Sequence, residues 1–517
     1  MASEYRDARS ALSMSVPFKT SRARRSGIGV MKTPPSSPTS PTSPAKAADA
    51  AQCPFHRAAA PASPPAASGV WPPGPHAGPT GWHLLRRMRG DLMGTLSDWQ
   101  REFGDVVHLR IRPEHTVVVT DPQLVRELLI THHASLVRWE RGTQVMSQLH
   151  GHSVLIAEGE AWQRKRQALQ PNFNPKPVQA FAPNIVAAAT RSLSTWPARD
   201  TQWPIESALT SLTIDVIMQQ VFSDPAGDDT PAIEHAMRVS SEAANSEFYW
   251  PFSLPDWMPW KREKREAIRT LNALIDRQMQ ARLALCVDAW PDDLLTRLLR
   301  LHREDAQTWP LSAVRDECMT AFLAGHETTA ATLTWWAWCM ASNPSMQDTA
   351  RDEVLQAFGR EPPLSATRQS LPYLAQSLDE TMRLYPAAPS LISRRAIKPL
   401  TLGQWTFPAR TLFMLPVQLM QHDARWFEAP GEFRPERFAP DAPSAPRGAH
   451  MPFGAGPRVC LGQHLALTEA LLIAAMLLQR VTLSVSPGTE PPTPQLNVTL
   501  RPAKALCLAI AQHDRRH

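Results

Sequence analysis

Several familiar patterns are absent from this sequence. Among its six cysteines (Cys53, Cys286, Cys318, Cys339, Cys460 and Cys507) there is no CxxC pair. That argues against a disulfide framework or a structural zinc site and suits a reducing, cytoplasmic compartment. No apolar run reaches the roughly 18 residues a membrane span needs, so a soluble protein is expected. The N-terminus lacks the continuous apolar segment of a secretory signal, and no internal repeat is visible. Net charge is also lacking over most of the chain. Nine of the 54 Lys+Arg and three of the 48 Asp+Glu fall in residues 1–80, so the other 437 residues balance at 45 of each. The sequence pI of about 9.1 therefore belongs to the tail and does not argue for nucleic-acid binding.

Proline, by contrast, is abundant: 50 residues, of which 14 lie in residues 1–80. The stretch Ser36–Pro44 is low complexity, and Ala, Pro and Ser continue to Pro79. Residues 1–80 are expected to be a disordered extension, because they bury too little apolar area to offset the entropy of ordering. A targeting peptide, a linker, or a start at Met14 or Met31 all fit that stretch. Residues 81–517 are expected to form one globular domain with 43% apolar content to draw on across the chain.

The pattern of that domain is mostly helical. A hairpin is expected over 104–120, a helix opening at Asp121-Pro122, helices through 160–385, short strands over 391–417, a helix from about Leu461 and strands within 481–510.

Phe453-Gly454-Ala455-Gly456-Pro457-Arg458-Val459-Cys460-Leu461-Gly462 carries the most chemistry. A lone cysteine usually packs as a small hydrophobe. Here two glycines permit a tight turn and close approach to a flat ligand. The apolar helix that follows would stabilise an anionic sulfur at its N-terminus. Phe453 is placed to cover the sulfur, and Arg458 to meet a ligand carboxylate. A second segment lies in a helix expected from Pro310 to Ser342: Ala324-Gly325-His326-Glu327-Thr328-Thr329. Its polar centre should weaken helical hydrogen bonding and leave room beside the backbone. His326-Glu327 is not a zinc-protease signature, because that motif requires His where Ala330 stands.

The loop resembles that of the cytochrome P450 family, whose haem-ligand segment reads Phe-x-x-Gly-x-Arg-x-Cys-x-Gly. Phe453, Gly456, Arg458, Cys460 and Gly462 match each fixed position. The resemblance implies a mainly α fold with small β-sheets and a long central helix over haem b, with Cys460 as the axial ligand to iron. A thiolate there favours O–O cleavage. It implies that Ala324 and Gly325 leave space for oxygen and that Glu327 and Thr328 relay protons through water. His326 falls at a variable position. Glu380, Arg383 and Arg437 match a buried structural triad. Trp162, Arg166 and Arg394 match haem-propionate contacts, with Arg395 the alternative to Arg394. Arg166, Arg394 and Arg458 would then be three cations facing two propionates. Val154, Leu155, Ala388, Ser390 and Leu391 are expected to line a largely apolar substrate pocket.

The implied enzyme is a monooxygenase of soluble, bacterial-like type without a fused reductase. The chain ends 57 residues after Cys460, so electrons are expected from a separate ferredoxin or flavodoxin/reductase partner. That partner would dock near Arg434, Arg437 and Arg447. A peroxide-using or rearranging haem-thiolate enzyme, or a haem gas sensor, are the other readings of the same residues.

Overall fold

A computed structural model describes residues 71–249 and 255–513. Helices dominate, as the periodicity predicts, and small sheets flank them. The longest helix among the described residues, Leu311–Ser342, has 32 residues and is capped by Pro310 and Asn343. It is buried around nearly all of its circumference from Val314 onward and lies in the largest core cluster. Helix Ile205–Phe222 packs along it, and the last helix, Gln463–Arg480, packs against it and against Pro175–Ser194.

The predicted hairpin is Val106–Ile111 paired with Glu114–Val119. Asp121 then caps helix Pro122–Ile130, its side chain accepting from the Gln123 and Leu124 amides. The hairpin belongs to a five-stranded sheet in the order 106–111, 114–119, 412–415, 391–396, 136–138. Strand Glu114–Val119 runs parallel to Leu412–Leu415; the other neighbours are antiparallel. Late in the chain, Pro494–Leu496 pairs with Leu500–Pro502, and Leu508–Gln512 lies between Arg199–Trp203 and Val481–Ser484. The last helix starts at Gln463, slightly later than expected, because Gly462 is its N-cap.

One boundary differs from expectation. Residues 71–80, assigned to the extension by composition, pack on the sheet. The Trp71 ring stacks on His108 and His115 with centroids 4.3 and 4.4 Å away. The His108 amide donates to Pro73 O, and the Arg112 amide to Thr80 O. The partly buried Trp71 ring packs against the core cluster under the sheet, and Pro72 beside it is buried. Residues 1–70 lie outside the described residues. Among the described residues, no helix is long and apolar enough to cross a membrane.

Candidate active site

The cysteine loop is held by its own backbone. The Cys460 amide donates to Phe453 O at 3.0 Å, and the Val459 amide to Gly456 O at 3.0 Å. Gly454 and Gly456 have φ of 73° and 74°, the left-handed region the tight turn requires. A Cβ on Gly456 would stand 2.2 Å from the backbone oxygen of Leu129, so helix Pro122–Ile130 fixes the loop from outside. The Cys460 thiol opens onto an internal cavity. Enclosure by protein raises its pKa, while the Gly462 amide and the charge of Arg166 pull it down. Arg166 is tied to the loop itself, donating to Val459 O at 2.9 Å.

The cavity has a volume of about 620 Å³ and reaches from Cys460 to Ala324, Gly325, Glu327 and Thr328 on the long helix. The polar centre of that helix does not interrupt it. Thr328 donates to Ala324 O at 2.9 Å, Thr329 to Gly325 O at 3.0 Å and Thr332 to Thr328 O at 3.0 Å, so the hydroxyls satisfy the backbone they were expected to weaken. The expected room beside Gly325 is also corrected. A Cβ there would meet Ile217 Cδ1 at 2.5 Å, so the missing side chain serves the close approach of helix Ile205–Phe222. His326 turns into the core, its ring 2.7 Å from Phe322 O, and burial pushes it down to about 3.

Glu327 is held by groups that the sequence did not single out. Thr499 donates to its Oε1 at 2.9 Å, and Ser241 approaches both oxygens at 3.3 and 3.4 Å. Arg501 Nε stands 4.0 Å from the same Oε1.

A second polar cluster lines the cavity beside Cys460: Trp162, Arg166, Arg394 and Arg458, as expected, together with Arg138. Arg394 and Arg395 are distinguished by their partners. Arg395 is saturated by Glu114, Glu140 and Arg410 O. Arg394 faces the cavity and donates to Ile392 O. Arg458 lies over the Trp162 ring, 4.4 Å from its centroid, and pairs with Glu158. Burial pushes Glu158 up to about 7 and Arg458 down to about 10. The charge of nearby Arg394 acts against the shift of Glu158, and the short contact pairs Glu158 with Arg458. Arg138 lies opposite Arg394 in the sheet, and its Nε and Nη1 are buried without a hydrogen-bond partner. A buried cation with unmet donors is costly unless an anion completes it. Four arginines, one of them incomplete, and a thiol on a shared wall fit a flat dicarboxylate cofactor bound through sulfur.

The structural triad is assembled. Arg383 grips Glu380 through Nε at 2.6 Å and Nη2 at 2.8 Å, and Arg437 Nε reaches Glu380 at 3.1 Å. Arg383 also donates to the carbonyls of Gln421, Pro430 and Glu432, and so ties the segment before the cysteine loop to helix Pro372–Leu384. Val154, Leu155, Ala388, Ser390 and Leu391 all line the cavity. So does Glu469, which is buried on the last helix with Oε1 unpaired; desolvation raises its pKa well above the carboxylate range.

The sequence profile of the cytochrome P450 family matches residues 72–508. A cytokinin hydroxylase of Arabidopsis thaliana is 28% identical over 426 residues, covering 80% of this chain and 82% of the relative. Cytochrome P450 CYP72A616 of Paris polyphylla is 30% identical over 420 residues, with 76% and 78% covered. The cyclooctat-9-en-7-ol 5-monooxygenase of Streptomyces melanosporofaciens is 29% identical over 419 residues, with 77% and 89% covered. Plant proteins prevail among the similar relatives, which corrects the expectation of a bacterial-like chain.

Proposed function

The chain belongs to the cytochrome P450 family of haem-thiolate monooxygenases, and from that premise we propose that Cys460 is the axial ligand. Haem, when bound, supplies reductive activation of O2 and transfer of one oxygen atom to an organic substrate. The observation that carries the residue assignment is the shared cavity: Cys460, Thr328 and four arginines line one space.

In this reading the Gly462 amide and Arg166 stabilise the Cys460 thiolate. Arg138, Arg166, Arg394, Arg458 and Trp162 hold the two propionates, with Glu158 yielding its place on Arg458. Glu380, Arg383 and Arg437 keep the cysteine loop in register. Glu327 passes on the proton that enters the cavity. The Thr328 hydroxyl hydrogen is occupied by Ala324 O, so its lone pairs accept from water and orient it toward the iron side. Phe453 and the loop glycines exclude bulk water from the sulfur.

The substrate is a small, largely apolar organic molecule, in keeping with Val154, Leu155, Ala388 and Leu391 on the wall and Ser390 as a polar exception. Electrons come from a separate partner of ferredoxin or flavodoxin/reductase type. Arg447, exposed before the cysteine loop, and Arg434, partly exposed, suit its docking; Arg437 is engaged by Glu380. The described cysteines are free thiols, which supports a reducing, cytoplasmic setting. The haem domain proposed for 81–517 extends back to Trp71.

The test is spectroscopic. The reduced protein with CO should give the strongly red-shifted Soret band of a thiolate ligand, and Cys460→His should lose it. A histidine-type band in the fresh native protein would overturn the assignment. Thr328→Ala should uncouple NAD(P)H consumption from product and release peroxide; unchanged coupling would remove the role given to its hydroxyl.

A further inference from the structure

Glu327 sits at the meeting of three segments that are remote in sequence. Its own helix, Leu311–Ser342, carries it to the cavity wall. Helix Thr230–Phe248 contributes Ser241, buried to 8% exposure. The C-terminal hairpin contributes Thr499, buried to 3%, in the turn before strand Leu500–Pro502. Thr499 Oγ1 accepts from Arg501 Nε at 3.4 Å while donating to Glu327 at 2.9 Å. Arg501 in turn pairs with Glu206 at 3.3 Å, and Glu206 Oε2 accepts from the Leu506 amide at 3.2 Å. The side chains of Arg501 and Glu206 retain 20% and 17% exposure, so this row ends near solvent. Asn245 Nδ2 donates to Leu496 O at 3.2 Å and fastens the same hairpin to the same helix as Ser241.

A guanidinium cannot release a proton under ordinary conditions. Arg501 is therefore not a carrier. Its chemistry is to hold the Thr499 oxygen, which leaves the Thr499 hydrogen one direction, toward Glu327. A carboxylate gripped by two hydroxyls and faced by a cation is fixed in place.

We propose that Thr499 and Arg501 are positioning residues for proton delivery, holding the Glu327 carboxylate between the solvent-side row and the cavity. In each turnover the carboxylate takes up one proton from water on the Arg501–Glu206 side and releases one on the cavity side; no other bond changes. The proposal rests on the reading of Glu327 and Thr328 as the proton-handling pair.

The experiment compares Thr499→Val, Thr499→Ser, Arg501→Gln and Glu327→Gln holoenzymes. Thr499→Val and Arg501→Gln should lower kcat about tenfold and raise peroxide release at a KM within about twofold of the parent. Thr499→Ser, which keeps the hydroxyl, should restore both. The second measurement needs no turnover. In the ferric resting protein the antisymmetric carboxylate stretch of Glu327, identified by its loss in Glu327→Gln, should shift in Thr499→Val and return in Thr499→Ser. If Glu327→Gln impairs coupling while Thr499→Val leaves the stretch, kcat and coupling unchanged, the positioning role is overturned and the proton-handling reading stands. If Glu327→Gln leaves coupling unchanged, both fall.

Discussion

Arg138 stands directly opposite Arg394 across the antiparallel pair of strands Leu136–Arg138 and Leu391–Ala396. Like charges facing each other on a sheet are destabilising. Glu158 relieves them in part: its Oε1 accepts from the Arg138 amide at 3.1 Å, stands 3.6 Å from Arg138 Nη1, and feels the charge of Arg394. One carboxylate is still short of the demand, since Arg458 draws on the same group.

This imbalance separates two neighbouring strand arginines by experiment. Arg138→Leu should speed haem loss to a high-affinity acceptor protein by about tenfold, the loss of one charge-assisted hydrogen bond of about 1.5 kcal/mol. Arg395→Leu, which breaks contacts with Glu114 and Glu140 outside the cavity, should lower Tm at an unchanged haem-loss rate. Equal haem loss in the two variants would refute the distinction.

Removing the triad's central cation should be severe. Arg383→Leu leaves the fully buried Glu380 without its bidentate partner and three carbonyls without their donor. The expected destabilisation is about 3–5 kcal/mol, read by chemical denaturation of the holoenzyme. Arg437→Leu should be milder, because Glu380 keeps Arg383 and the Arg434 amide. The reverse order of severity would contradict the geometry.

Glu469 offers a pH test with a defined sign. Its pKa in the folded chain is raised from an ordinary value of 4.5, so the folded form holds the proton more tightly than the unfolded one. Its contribution is fully present below that ordinary value and is lost as pH rises above it. Glu469→Gln should therefore flatten the decline in unfolding free energy as pH rises above about 5. A variant with the parent's full pH slope would exclude Glu469 as its source.

Two glycines should respond differently to alanine. At Gly456 the added Cβ meets the Leu129 carbonyl oxygen, and the backbone is left-handed, costing about 1–2 kcal/mol before any clash. Gly456→Ala should lose haem content, and no single side-chain change should rescue it. At Gly325 the obstacle is the flexible end of Ile217, so Gly325→Ala should regain stability when combined with Ile217→Val. Failure of that rescue would mean that the helix contact is not what limits residue 325.

What was legible in the sequence was local. The cysteine loop closes on itself through Cys460 and Phe453, and the triad's Glu380 and Arg383 share one helical face, so short motifs and the resemblance they carry exposed both. Helix starts at Asp121-Pro122 and Pro310 follow from capping and proline chemistry. What escaped was the partner of each polar group across the fold. Arg138 gains its place from strand register, and Thr499 reaches Glu327 from 172 residues away, with no periodicity to announce either. Trp71 was hidden for the opposite reason, since one aromatic outweighs the composition of the stretch around it.

The bond between Asn245 and Leu496 joins residues 251 positions apart. Contacts of such separation are entropically expensive to close and form late. This part of the cavity wall should thus be the last part of the molecule to consolidate and the first to open, while the cysteine loop, closed over a few residues, persists. Exchange of wall residues can then alter which molecules are accepted without disturbing how the iron is held. A lineage built this way can diversify its substrates on a conserved oxidising centre.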